Sequence, residues 1–113
     1  MHELSLSQGM LDIIEQQAAT SGFESVRVVH LEIGALSCVE RQALEFCFES
    51  VTRGSIADGA GLEITDVAGA AWCWDCEAVV ALTRRGEACE RCNGYRLKIE
   101  DGERVRIVEL EVT

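Results

Sequence analysis

The sequence predicts an α+β fold in which two helices cover a roughly three-stranded sheet and a module held by four cysteines is inserted. Two segments repeat apolar residues at helical spacing, and three others are rich in β-branched residues. Two Cys-x-x-Cys pairs lie between the second and third of these strand-like segments. The predicted domains are residues 1–71, completed by a carboxyl-terminal strand at 103–113, and residues 72–102.

The first helix is predicted from about Ser5 to Thr20. Ser5-Leu-Ser-Gln8 has the spacing of a capping box, and Ser21-Gly22 provides a stop. The next segment, Val26–Ile33, is rich in β-branched residues and is predicted to be a strand with one apolar face.

A second helix is predicted to open at the capping box Ser37-Cys-Val-Glu40 and to end near Thr52, before Gly54. Two later segments have strand character, namely Leu62–Val67 and Val105–Val112. Because the cysteine module lies between these two segments, the simplest topology inserts it between strands of one sheet.

The cysteine module has the ligand pattern of a closed zinc site. Each Cys-x-x-Cys pair brings two thiolates to one cation, and two pairs complete the tetrahedral sulfur shell that zinc favours. The ligands are Cys73, Cys76, Cys89 and Cys92. Asn93-Gly94 follows the second pair and tolerates the sharp turn expected there. A module of about thirty residues buries too little to fold alone, so we expect Zn²⁺ to fold it.

Composition excludes several classes of function. The net charge is −10, and neither part of the chain offers the basic face that a nucleic-acid binder needs. No segment approaches the roughly 20 apolar residues of a membrane span, and no leader pattern precedes the first helix, so we expect a cytoplasmic protein. A four-sulfur site leaves no position for catalytic water, and the sequence shows no phosphate-binding loop, so we do not expect an enzyme.

Three further residues are expected to be structural. Cys47 lies among apolar residues at helical spacing, where a free cysteine behaves as a small hydrophobe. Cys38 is predicted to sit at a helix start, where the dipole could lower a thiol pKa, but an unreactive residue is the preferred interpretation. His30 alternates with Val28 and Glu32 on a strand face and is expected to be structural or solvated.

The amino terminus, Met1-His2-Glu3, is a candidate site for a second metal. A histidine at position 2 lets the α-amine, a backbone nitrogen and an imidazole nitrogen close adjacent chelate rings on one cation. Such nitrogen donors suit a square-planar ion, which indicates nickel or copper rather than zinc. Taken alone the pattern is weak, because a histidine near a chain start is commonly a solvated side chain.

The chain resembles the HypA/HybF family of hydrogenase-maturation nickel chaperones along essentially its whole length. The resemblance is carried by four features in order: the start Met-His-Glu-Leu-Ser-Leu, the segment Leu31-Glu-Ile-Gly-Ala-Leu-Ser37, the segment Phe48-Glu-Ser-Val-Thr-Arg-Gly54 and the cysteine pairs. It implies a metallochaperone that helps to insert nickel into the large subunit of [NiFe]-hydrogenase and, in some organisms, serves urease. The implied Ni²⁺ cargo site is His2 with the Met1 amine and the backbone around Glu3.

The resemblance also implies partners: a HypB-type GTPase, the hydrogenase large subunit and urease accessory proteins, without nucleic acid or membrane. The alternative is a zinc-ribbon protein-interaction module that carries no cargo metal. A basic or aromatic binding face would favour that alternative. Five basic residues do lie in the module, but six acidic residues between Trp72 and Gly102 nearly cancel them.

Overall fold

The computed structural model describes residues 2–113 and contains two helices and six strands in that range. The elements, in chain order, are α1 (Glu3–Ser21), β1 (Val26–Gly34), α2 (Arg41–Thr52), β2 (Gly61–Val67), β3 (Ala70–Cys73), β4 (Ala78–Ala81), β5 (Leu97–Asp101) and β6 (Val105–Val112). The strands form two three-stranded sheets, ordered β2-β1-β6 and β4-β3-β5. The predicted α+β class is confirmed. Neither helix in the described range combines the length and apolar character needed to cross a membrane.

The chain packs as two compact units. Unit 1 comprises the residues up to Leu31 together with Val39–Ile64 and Ile107–Thr113, and unit 2 comprises Glu32–Cys38 and Thr65–Arg106. These are units of packing, and the domain boundaries predicted from the sequence stay predictions.

The core of unit 1 is aliphatic and is built by both helices and the central strand. Helices α1 and α2 pack against each other. Its most buried side chains, each at most 3% exposed, are Met10, Ile14, Val26, Val29, Leu31, Leu44 and Phe48. Burial of each such side chain contributes about 1.5–3 kcal/mol. The alternation of Val29 and Leu31 with His30 leaves the histidine on the opposite face of β1.

Helix α1 begins two residues before the predicted start. His2 is the N-cap residue and Glu3 is the first helical residue, so the Ser5–Gln8 pattern lies inside the helix and caps nothing. The early start is stabilised by a tertiary contact, because the Glu3 carboxylate accepts a hydrogen bond from the Glu40 amide at 3.1 Å. The predicted stop is confirmed: Gly22 adopts φ 80° and its amide donates to the Ala18 carbonyl.

Helix α2 begins later than its predicted capping box. Glu40 is the N-cap residue, and its Oε2 accepts a hydrogen bond from the Ala43 amide at 2.6 Å. A carboxylate at the N-cap therefore does what the sequence analysis assigned to Ser37. Cys38 lies in the turn before the helix with φ 63°, so its predicted place at a helix start is wrong.

Unit 2 contains three short strands that the sequence analysis did not predict. Strand β3 lies in the middle and pairs antiparallel with both neighbours, with Trp72 opposite Val79 of β4 and Lys98 of β5. These strands have only four or five residues, and β3 reads Ala-Ala-Trp-Cys, which lacks a β-branched pattern. A small apolar cluster supports the sheet and contains Leu36, Ala71 and Leu82, with Leu97 and Ile99 packed against it.

Backbone segments approach each other closely in unit 2, and glycine permits the approach. A Cβ on Gly34 would lie 2.1 Å from the carbonyl oxygen of Gly102, and a Cβ on Gly69 would lie 2.2 Å from that of Leu82. Gly102 itself has φ 93°, in the region that favours glycine. Side chains at these positions are therefore excluded by backbone atoms.

Candidate metal sites

The four predicted zinc ligands come together in unit 2. One sulfur atom from each of Cys73, Cys76, Cys89 and Cys92 lies within 4.8 Å of the others. The Cys73–Cys92 and Cys76–Cys89 sulfur pairs are 3.7 and 3.9 Å apart. A tetrahedron with Zn–S bonds of about 2.3 Å has edges of about 3.8 Å, whereas a disulfide would need about 2.05 Å. The spacing therefore fits a shared cation and excludes disulfides.

Two tight turns aim these sulfurs inward. Cys73 ends β3, and the first turn places Glu77 at φ 50°, directly after Cys76. In the second turn Asn93 has φ 62°, as the sequence predicted, and its amide donates to the Cys89 carbonyl at 2.8 Å. Gly94 does not adopt positive φ there. The absence of a side chain at Gly94 leaves space for its neighbours, since a Cβ there would lie 3.3 Å from the Cys92 sulfur.

Backbone amides stabilise the thiolate form at the turns. The amide of Cys76 donates to the Cys73 sulfur and the amide of Arg91 donates to the Cys89 sulfur, each at 3.4 Å. Hydrogen bonds from the Cys92 and Arg91 amides lower the pKa of Cys89 to about 7. The hydrogen bond with Cys92, burial and the other thiols raise the pKa of Cys76 to about 12. Four adjacent thiolates repel one another, so the full set needs a divalent cation.

The sulfur cluster is partly buried. Cys73 and Cys89 are 0% and 1% exposed, and Val80 packs with them at the same small core, against which Leu97 also packs. Cys76 is half-buried and Cys92 is exposed, so the cluster lies at the edge of this core. With four sulfur ligands a tetrahedral ion has no open position for water or substrate. The donor set and spacing fit zinc in a structural role.

The start of α1 offers a site of a different kind. His2 is exposed, and its carbonyl accepts the first helical hydrogen bond, from the Leu6 amide at 2.7 Å. Among the described residues, the His2 imidazole makes no capping hydrogen bond to the helix, so it is available to a ligand. Met1, the remaining member of the predicted site, lies outside the described residues.

Glu3 is held inward rather than offered to solvent. The residue is 7% exposed, and its Oε2 accepts the hydrogen bond from the Glu40 amide. That hydrogen bond, followed by the amide of Glu3 itself, lowers the pKa of the carboxyl group. The carboxylate is thus engaged in joining the starts of α1 and α2, and the atoms of Glu3 nearest a ligand at His2 are those of its backbone.

The other positions singled out in the sequence belong to neither site. The thiol of Cys38, an exposed residue, lies 3.8 Å from the Leu36 carbonyl, and Cys47 is half-buried on α2. The His30 Nε2 lies 2.6 Å from Oε2 of Glu111. The sequence analysis missed this pair, because the two residues are 81 positions apart and only the sheet order brings them together.

An α+β chain with a four-sulfur cluster at zinc spacing and an exposed histidine at the N-cap position of its first helix has the features of a small metal-binding protein. The family model described as "Hydrogenase/urease nickel incorporation, metallochaperone, hypA" matches residues 1–112. The chain therefore belongs to the HypA family.

Relatives and a solved structure agree with this assignment. Proteins named hydrogenase maturation factor HypA from Azotobacter chroococcum mcd 1 and Azotobacter vinelandii are 51% and 48% identical over 112 residues, covering 99% of each chain. The solution structure of the Ni metallochaperone HypA from Helicobacter pylori matches with a TM-score of 0.72. At 24% identity, over 99% of this chain and 97% of that one, this likeness concerns the fold alone.

Proposed function

We propose that this chain is a nickel metallochaperone that holds Ni²⁺ at the start of α1 and assists nickel insertion into [NiFe]-hydrogenase. The observation that carries the proposal concerns His2, the N-cap residue of an ordered helix. Its imidazole is exposed and makes no capping hydrogen bond. Membership of a family described by nickel incorporation supports the choice of cargo.

The helix start suits a nitrogen-ligated ion for a physical reason. The first backbone N–H groups of a helix have no intrahelical acceptor, so the amides of His2 and Glu3 can lose their protons to a metal without breaking the helix. Deprotonation of the Glu3 amide would replace only its hydrogen bond to the Glu3 carboxylate. The positive end of the helix dipole also favours the negative charge of a deprotonated amide. With the Met1 amine and the His2 imidazole, these nitrogens complete the donor set that square-planar Ni²⁺ prefers.

Glu3 and Glu40 fix this donor set in place. The 3.1 Å hydrogen bond from the Glu40 amide to the Glu3 carboxylate ties the first turn of α1 to the start of α2. In the proposed site Glu3 contributes its backbone, and its carboxylate orients that backbone. An exposed site of few ligands at a chain end can also pass its ion to a partner.

The remaining assignments follow from the family and the sulfur cluster. We assign Zn²⁺ to Cys73, Cys76, Cys89 and Cys92 as a structural ion that holds unit 2 together. The partners are a HypB-type GTPase, the hydrogenase large subunit and, in organisms with urease, its accessory proteins. The protein acts in the cytoplasm without nucleic acid or membrane, and it is not an enzyme. Its −10 net charge supports the exclusion of nucleic acid.

The test is calorimetric titration of zinc-loaded protein with Ni²⁺, using a native, untagged start. His2→Ala should abolish tight nickel binding, and adding one residue before Met1 should do the same, while zinc content and fold persist. His30→Gln removes the other histidine and should leave tight binding unchanged. Tight nickel binding that survives both changes at the amino terminus would overturn this site and favour a zinc-ribbon interaction module without cargo.

A further inference from the structure

A second cluster of metal-ligating side chains lies on unit 1 and shares no residue with either site described above. Among the described residues, only two groups of at least three such side chains have their ligand atoms within 4.8 Å of one another. One is the cysteine cluster, and the other consists of His30, Glu109 and Glu111. The proposed nickel and zinc sites use none of these three residues.

The sheet brings the three residues together. His30 lies on β1, the central strand, and Glu109 and Glu111 lie on β6, the neighbouring edge strand. Positions two residues apart on a strand share a face, so both carboxylates stand on one face of β6. The opposite face of β1 carries Val29 and Leu31, which are 0% and 1% exposed, so His30 lies on the open face.

The electrostatics of this face favour a cation. His30 and Glu111 are joined at 2.6 Å, with 30% and 45% of their side-chain surface exposed. Glu109 and, from β2 on the other flank, Glu63 both add negative charge near the imidazole. Two carboxylates thus lie close to one imidazole and a third adds charge from further off, and a proton on that imidazole neutralises only one of them.

We propose that His30, Glu109 and Glu111 form an exchangeable surface site for a divalent first-row transition ion such as Ni²⁺. Bonds of about 2.0–2.2 Å place neighbouring ligand atoms about 3 Å apart. To bind the ion, the His30 and Glu111 ligand atoms must move slightly apart from their 2.6 Å separation. Ligand atoms of the group that are more than about 3 Å apart must move closer together. One imidazole and two carboxylates suit several first-row ions, and water fills the remaining positions. The open positions and solvent exposure make the bound ion exchangeable.

This site goes beyond the proposed function and can be tested without it. Nickel bound by one imidazole, carboxylates and water is six-coordinate and paramagnetic, whereas nickel bound by four nitrogens in a plane is diamagnetic. The zinc-loaded His2→Ala protein is titrated with Ni²⁺ while its backbone amide resonances are recorded. The expected result is saturable broadening centred on residues 30, 63, 109 and 111, with about one ion per chain.

Two variants in the same background identify the ligands. His30→Gln and Glu109→Gln should each weaken the broadening at least about tenfold. Glu109→Gln serves as the milder change, because the His30–Glu111 pair remains. Glu49→Gln removes an exposed carboxylate on α2 and should change nothing.

Broadening that spreads over the acidic surface without saturating, or that persists in His30→Gln and Glu109→Gln, would overturn the site. Sharp, shifted resonances at the helix start in His2→Ala would instead contradict the nickel site proposed there. The two proposals therefore fail in different ways.

Discussion

The cysteine cluster and the start of α1 differ in how much of the site the fold prepares. At the cluster, two pairs of sulfurs already stand 3.7 and 3.9 Å apart, and two of the four residues are fully buried. At the helix start, His2 is exposed, and the other donors of the proposed site would be nitrogen atoms of the main chain. The first arrangement suits an ion that is retained, and the proposed second arrangement suits an ion that is passed on.

The same difference appears in what each ion would do for the fold. Unit 2 has short strands and a small apolar core, so a metal supplies stabilisation that packing does not. Unit 1 has a larger aliphatic core and does not depend on an ion at its helix start. Under the proposal, the ion that stabilises unit 2 is retained and the ion at the helix start is transferred, so the two sites have separate roles.

Loss of one sulfur ligand should produce the largest effect. Cys73→Ser breaks the tetrahedral set, and structural zinc typically contributes on the order of 10–16 kcal/mol of binding free energy. Unit 2 should then lose zinc and its dispersed amide resonances, while tight nickel binding at His2 persists. Elemental analysis, amide spectra and nickel titration measure the three quantities.

Cys47→Ser is the matched control, because it removes a thiol from α2 without touching the cluster. It should retain one zinc per chain. If Cys73→Ser keeps both zinc and a folded unit 2, the four-sulfur assignment is wrong.

Glycine substitutions should give the next largest effects, and these should differ in sign between the two units. Gly34→Ala places a Cβ 2.1 Å from the Gly102 carbonyl oxygen, and overpacking of this kind costs roughly 3 kcal/mol or more. Gly9 in α1 has open space at its Cβ position, so Gly9→Ala should stabilise the helix by about 0.5–1 kcal/mol. Amide hydrogen exchange, followed residue by residue, reports each unit separately. Equal effects of the two changes would contradict the close backbone approach in unit 2.

Removing the Glu3 carboxylate should produce a smaller, local effect. Glu3→Ala deletes the acceptor of the Glu40 amide, so the first turn of α1 should fray and nickel affinity should fall. Zinc content should not change, because the cluster uses only sulfur ligands. The expected loss is smaller than that of His2→Ala, since the imidazole and backbone nitrogens remain. Calorimetric titration compares the two variants, and unchanged nickel affinity would show that Glu3 does not position the site.

Much of this fold could be predicted from local sequence. Strand β6 matches its predicted bounds, β1 and β2 match to within one residue, and both helices end near glycines that stop them. The convergence of the four cysteines could be predicted from their spacing, because two Cys-x-x-Cys turns determine the local geometry of each pair.

The predictions that were wrong or absent concern elements whose bounds are determined by tertiary contacts. Helix α1 starts at Glu3 because of a contact with Glu40, which lies 37 residues away, and α2 is capped by Glu40 rather than Ser37. Strand β3, the centre of the unit 2 sheet, is specified by pairing and by the cysteine turn that follows it rather than by β propensity. The contact of His30 with Glu111 depends on the sheet order, which places β6 beside β1 and cannot be derived from local sequence.

The His30–Glu111 pair should give the smallest effect, one that depends on pH. The hydrogen bond to Glu111 raises the pKa of His30 above its ordinary value, and the charges of Glu109, Glu111 and Glu63 add to the rise. A raised pKa means that the folded state binds the proton more tightly than the unfolded state. The stabilisation is therefore complete below about pH 6.5 and is lost as pH rises through the folded-state pKa.

Without added divalent ions, wild type should exceed His30→Gln in stability near about pH 6, and the difference should shrink as the imidazole loses its proton. Urea unfolding of both proteins across this range measures the difference, and imidazole resonances report the pKa of His30. Glu49→Gln, which removes a carboxylate from an exposed pair on α2, should show no such dependence. A His30 pKa at or below the ordinary value would mean that Glu111 does not hold the protonated ring in solution. Unit 1 would then gain no stability from the charged form of His30, whereas the adjacent thiolates of unit 2 would still need a cation to hold them together.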